Sequence, residues 1–280
     1  MQIKTARYNP TMIRQLFLII FFVITLTKSY GQCSVNNDVF GNGEQISYTI
    51  SYNWGPVWVD AGIVTFSAVS DIRQGKPVWH LRSTGKTFTS YDLLFKVRDY
   101  YDSWIDPATF KTAEFRRYIY EGGYTLQNTL VFNHSKGTIL ANTKSNNNPM
   151  RIDTLLIKPC TFDMLGAVYY VRTLDLTSLK PELKHPVNVL IDDSVYQIYI
   201  RYAGKEIVEN TDGKKYRCLK FHAKMVVGTI FKGDEDVTIW VTDDRNKIPV
   251  YIEAHIQIGT IKAYLKEMKG LKSAVVSRIN

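Results

Sequence analysis

Residues 160–174 read CTFDMLGAVYYVRTL, and their reading decides the fold, because no other long stretch before the C-terminal region repeats its apolar residues at helical spacing. Phe162, Leu165 and Tyr169 form one stripe and Met164, Val168 and Val171 another, so the stretch is apolar nearly all round. This predicts a buried helix over 161–174. Thr161 is placed to cap its first turn, Asp163 sits at the positive end of the helix dipole, and Arg172 sits near the negative end.

Outward from the helix, the chain alternates like β-structure. Ile46, Tyr48, Ile50 and Tyr52 interleave with Ser47, Thr49 and Ser51, which marks a half-buried strand. The turn Asn53-Trp54-Gly55-Pro56 leads to strands expected at 63–69 and 76–89, an antiparallel meander. An aromatic-rich strand is expected at 93–104, broken by Asp106-Pro107, then strands at 111–120, 124–132, 138–142 and 151–157. Past the helix, 175–186 holds two prolines and no period, so it reads as a linker. Strands resume at 195–202, 216–224, 236–242, 249–258 and 260–265, with Tyr196, Ile198, Ile200 and Tyr202 on one face. A sheet of this length curls or closes. The expected fold is therefore mainly β: a large curved antiparallel sheet, or an open barrel-like sheet, wrapped around one central helix.

The first 31 residues carry Lys4, Arg7 and Arg14, an apolar run from Leu16 to Leu26, and Ser29 and Gly31 at the small-residue positions of a cleavage site. This pattern predicts a secretory signal peptide over 1–31 and a single β-rich exported domain over 32–280. The apolar run falls short of the ~20 residues of a transmembrane helix, and nothing later is apolar enough to span a bilayer. Cys33 raises lipidation, but Gln32 is a poor fit to the small residue such a site requires. The formal charge of +9 falls to +5 once the four basic residues of the leader are set aside. That excess gathers partly at Lys262, Lys266, Lys269, Lys272 and Arg278, a solvated face that could touch anionic lipid. Nucleic acid is not an expected partner.

Three cysteines in an oxidising compartment allow one bridge and one leftover thiol. A Cys160–Cys218 bridge would tie the helix start to a later strand; equally, all three could stay thiols, two of them buried. Enzyme signatures are sparse: HExxH and GxSxG are absent, Gly85-Lys86-Thr87 lacks the glycine of a phosphate loop, and Gly233-Asp234-Glu235-Asp236 reads as a charged turn. The histidines are scattered, and Cys218 with His222 on one strand face is too little for a metal site. No catalytic residue, metal or cofactor is expected.

Three stretches together resemble the exported bacterial proteins of domain-of-unknown-function family 3108. They are Gly43-Glu44 with Ile46-Ser47-Tyr48 and Ala61-Gly62; Asp163-Met164-Leu165 with Tyr169-Tyr170-Val171-Arg172; and Trp240-Val241-Thr242-Asp243-Asp244 with Ile248-Pro249 and Gly259. The resemblance spans roughly Phe40 to Leu265 and implies a Gram-negative envelope location and one β-rich domain, with no catalytic residue to carry over. Read physically, Gly43 and Gly62 permit a turn or bulge, Asp243 and Asp244 bond the backbone of their own turn, and Pro249 enters a strand where no amide is needed.

Three function classes follow. The first is an apolar or amphiphilic ligand, lipid-like, bound between helix and concave sheet, with Tyr169 and Tyr170 as aromatic wall and Arg172 as polar anchor. For Arg172, pairing with a strand carboxylate inside the core is the plainer role. The second is a noncatalytic envelope structural or assembly protein, binding a protein partner through aromatic strands such as 93–104. The third, an enzyme acting on an envelope polymer, needs two close carboxylates in an open cleft. Asp99, Asp102 and Asp106 are the nearest cluster, read as a solvated strand end.

Overall fold

β-alternation along the sequence becomes one continuous sheet in the computed structural model, which describes residues 35–54, 57–176, 178–224, 237–256 and 259–279. The strands are β1 (Glu44–Trp54), β2 (Val57–Arg73), β3 (Lys76–Thr87), β4 (Arg98–Ile105), β5 (Thr112–Glu121), β6 (Tyr124–Asn133), β7 (Thr138–Ser145) and β8 (Arg151–Leu156). They continue as β9 (Thr161–Phe162), β10 (Lys184–Ile191), β11 (Ser194–Glu209), β12 (Lys215–Lys224), β13 (Val237–Thr242), β14 (Pro249–His255), β15 (Thr260–Lys269) and β16 (Arg278–Ile279). Two helices interrupt them: α1 (Asp92–Phe95), after a 3-10 turn at Thr89–Tyr91, and α2 (Met164–Thr173). These residues belong to the compact unit Cys33–Asn280. The expected signal peptide, Cys33 and the turn at 233–236 lie outside the described residues.

Spatial order runs from β8 through β1 and then, across the β1–β15 ladder, from β15 down to β9, with β16 added to β12. Every ladder is antiparallel except β9 with β10. The sheet's two ends, β8 and β9, are consecutive in the chain and separated by residues 157–160. A fully extended link of that length spans at most about 18 Å, so the sheet must curl until its edges approach. Consistently, Leu155 and Ile157 of one end pack into the same core cluster as Val187 and Val189 of β10 at the other.

Asp163 starts α2, accepting a hydrogen bond from the Gly166 amide at 2.9 Å, which supplies one of the partners a first turn lacks. The cap expected at Thr161 is thus displaced: Thr161 and Phe162 pair with Asn188 and Val189 as a parallel strand, so the chain leaves the sheet two residues later than periodicity implied. Leu165, Ala167 and Tyr169 are buried, whereas Val168 is 45% exposed. One flank of α2 therefore faces out, not all sides in.

Two further expectations change. The linker expected over 175–186 ends early, because residues 184–191 form β10 and pair with β11 over their whole length. Residues 93–95, assigned to a strand, close a helical turn instead, and β4 begins only at Arg98. The Cys160–Cys218 bridge is also overturned: Cys218 is a free, buried thiol, and Cys160 is disulfide-bonded elsewhere. β9, just after Cys160, lies three strand spacings from β12 in the sheet order, about 14 Å. A disulfide needs Cα atoms within about 7 Å.

Candidate functional site

The registers assign each side chain to a face. Ser103 donates to the Asp163 carboxylate from β4 at 2.7 Å, so Ser103 points inward, and with it its ladder partners Leu81 and Phe115. Following the ladders outward puts Glu44, Ile46 and Tyr48 of β1 on the same inner face.

At the upper end of that face, the three stretches singled out in the sequence converge. Arg172, from α2, donates from Nη1 and Nη2 to the two carboxylate oxygens of Glu44 at 2.6 and 2.9 Å, and from Nη2 to the carbonyl of Asn246 at 3.0 Å. Glu44 is fully buried and Arg172 nearly so. Burial alone would lower the guanidinium pKa, but the hydrogen bonds and charge of Glu44 outweigh it and hold it above its ordinary value. The turn carrying Asn246 is tied down by Asp244, which accepts from Thr242 Oγ1 at 2.9 Å and from the amides of Asn246 and Ser277 at 3.0 and 3.2 Å. Asp243 instead accepts from Lys205 at 2.8 Å. Gly43 leads into this knot with φ 87° and Gly259 takes φ 89° beside Asn53, conformations that favour glycine. Gly62 lies at the β1–β2 bulge against the Lys86 backbone, and Pro249 opens β14.

Of the residues expected to hold a ligand, Tyr169 and Arg172 come together, the guanidinium 5.4 Å from the ring centroid, with Phe40 packed edge-on at 4.8 Å from Tyr169. Both are buried, and the Tyr169 hydroxyl has no hydrogen-bond partner. Burial raises its pKa. Tyr170 lies apart, half-buried and stacked on Phe162 at 4.2 Å.

The opposite end of the sheet differs. There the inward positions Ile50, Val64, Ile239, Ile252, Ala254 and Ile261 are half-buried, while Phe221, Ala223, Val237 and Ile200 on the same ladder rows are buried. Together they line the mouth of the curled sheet, the end of its inner face away from the Glu44–Arg172 knot.

One wall of this mouth is polar. Asp99 of β4 and Glu121 of β5 are hydrogen-bonded carboxyls on the inner face, and Asp99 also accepts from the Tyr120 amide at 3.2 Å. Burial, then the charge of Glu121, pushes the Asp99 carboxyl up to about 7. Burial, with Asp99 next, lifts the neighbouring Tyr101 phenol to about 12. Arg117, opposite Tyr101, is buried and pairs with Asp192 in the β10–β11 turn, and its Nε has no partner. The same turn offers Asp193 to Arg151 of β8 at 2.7 Å. This pairing draws the turn against the β8 end of the sheet.

Sequence reading missed this wall. The aspartates it grouped are separated: Asp99 points inward, Asp102 outward to His80 and Arg82 at 2.7 and 2.9 Å, and Asp106 into its own turn. Strand parity in β4 could have set Asp99 apart from Asp102, but only the register of β5 brings Glu121 beside it. Among the described residues, no three His, Cys, Asp or Glu side chains stand close enough to hold a metal ion, and no helix is long and apolar enough to cross a membrane.

The sequence profile of the family described as a protein of unknown function (DUF3108) matches residues 47–266. A solved structure, the beta-barrel-like protein of domain of unknown function DUF1849 from Brucella abortus, shares the fold: TM-score 0.52 at 8% identity, covering 82% of this chain and 98% of that one. The comparison with curated proteins returned no match.

Proposed function

Because this chain belongs to the DUF3108 family, whose description assigns no activity, we propose from its geometry that it is a noncatalytic exported envelope protein that binds an apolar or amphiphilic molecule in the mouth of its curled sheet. The observation that carries this reading is the half-buried inner wall of Ile50, Val64, Ile239, Ile252, Ala254 and Ile261. An inward apolar surface left partly in water is the usual lining of a ligand site in a β-barrel mouth. α2 and the Glu44–Arg172 knot act as the fixed plug around which the sheet wraps, and the ligand sits below them, not between α2 and its packing partners. Asp99, Glu121 and Arg117 anchor a polar head at one wall. The signal-like leader supports export, and the chain from residue 32 onward is the acting form.

The test is uptake of an apolar dye such as N-phenylnaphthylamine by the purified protein, with native and denaturing mass spectra compared for a co-purifying lipid. Dye fluorescence should rise in the wild type and drop at least about tenfold in Ile252→Trp and Ala254→Phe, which fill the mouth while adding apolar bulk. Equal uptake by folded variants of both kinds would sink the reading.

A second reading, an envelope structural or assembly protein, is favoured by a different observation. Around α2 the core is solid, with Phe40, Phe110 and Tyr169 each no more than 1% exposed. A protein bare of lipid and blind to the dye would fit that reading.

A further inference from the structure

We propose that α1 and its flanking turn form a membrane-docking tip, inserting Leu93 and Leu94 with the edge of Phe95 into the interfacial layer of an anionic bilayer. Leu93 is 96% exposed, Leu94 70% and Phe95 55%. They are consecutive along one helical turn. Scattered surface apolar residues are ordinary, but a run of three at a projecting turn is not.

The turn is held firmly at its base. Asp92 accepts from Arg98 Nη2 and Nη1 at 2.5 and 3.1 Å and from Thr87 Oγ1 at 2.7 Å. Thr87 Oγ1 also accepts from the Val97 amide at 3.1 Å, and the Phe88 amide reaches the Ala61 carbonyl at 2.9 Å. One side of the Phe95 ring rests on Gly122, where a Cβ would collide with it. A leucine pair so held is presented to solvent, since the base prevents it from folding back onto the sheet.

Charge selects the occupant. The acid of the turn, Asp92, is paired with Arg98, and Lys96 and Lys86 are exposed at this end, with Glu121, also exposed, hydrogen-bonded to Asp99. On the same end, Lys262, paired with Glu253 at 3.8 Å, lies 4.1 Å from the ring centroid of Trp58, itself 43% exposed next to Val57 at 57%. Exposed apolar side chains with exposed lysines and a half-exposed indole at the same end of the sheet match the acyl boundary and anionic headgroups of a bilayer surface.

Docking here would set the rim of the mouth on lipid, but the inference does not rest on the mouth being filled. The experiment is flotation of the purified protein with vesicles of phosphatidylethanolamine and phosphatidylglycerol, and with phosphatidylcholine alone, at low and high salt. Wild type should float with the anionic vesicles. Leu93→Ser/Leu94→Ser should lose at least tenfold of that binding with its melting temperature unchanged, and Lys96→Gln or high salt should weaken it severalfold. Ile252→Trp should float like wild type, which separates failure of the mouth from failure of the tip. Absence of wild-type flotation, equal flotation of the double serine variant, or a photo-crosslinker at position 93 that captures a protein and no lipid in cells would overturn it.

Discussion

Arg172 does three jobs with one planar group: it neutralises Glu44, caps the carbonyl of Asn246, and lies near the rings of Tyr169 and Phe40. Removing one partner of a buried pair leaves the other unpaired in low dielectric, typically at about 3–5 kcal/mol. Glu44→Gln should therefore lower the urea-unfolding free energy by about that much, while Glu44→Leu with Arg172→Met should cost less than the sum of its two single changes; simple additivity would show that the pair is not coupled. Cys218 makes a second residue-level prediction. Its thiol is buried in β12, and burial, followed by Asp244 and Asp243, raises it to about 12. A disulfide-exchange reagent at pH 8 should leave it unlabelled in the native protein and label it promptly in urea; rapid native labelling would mean that this face of β12 is uncovered.

At the scale of elements, legibility followed how local the deciding force was. α2 could be read because its period, its acidic start and its basic end lie within fifteen letters of sequence. Its true first residue could not, because whether Thr161 and Phe162 join a strand depends on Asn188 and Val189. β10 was hidden by Pro186, a residue that argues against a strand. It is tolerated because β9 covers β10 only at Asn188 and Val189, so the missing amide of Pro186 faces a free edge. Leu93 to Phe95 misled in the opposite sense: an apolar run before an aromatic strand looks like its beginning, and only the Asp92–Arg98 pair turns it into a helix. The partner of Arg172 was foreseen as a strand carboxylate, yet its identity rests on folding across 128 positions of chain. The Asp99–Glu121 wall was illegible for the same reason.

For the whole molecule, the mouth makes stability depend on pH in an unusual direction. Asp99 stands at about 7 when folded, against about 4 in an unfolded chain, so between those values the native protein holds a proton that the unfolded chain has released. Its contribution is complete below about pH 4 and is lost as pH rises through 7. Allowing for solvent screening at the mouth, the wild type should lose about 2 kcal/mol between pH 5 and pH 8 through this group, and Asp99→Asn should flatten that slope. Urea midpoints at the two pH values measure it; parallel slopes in both proteins would place Asp99 in ordinary water.

The order of strands also fixes an order of events. β2 to β8 pair with neighbours already made, but the other side of β1 waits for β15, Gln45 meeting Lys269. Closing so distant a contact is slow, since chain entropy is spent long before the ladder returns it. Through that interval β1 offers a long bare flank of amides and carbonyls. A second newly made chain could lend its own β15 to that flank, so the characteristic error of this protein during refolding at high concentration should be an exchanged dimer, joined through the same register that closes the monomer.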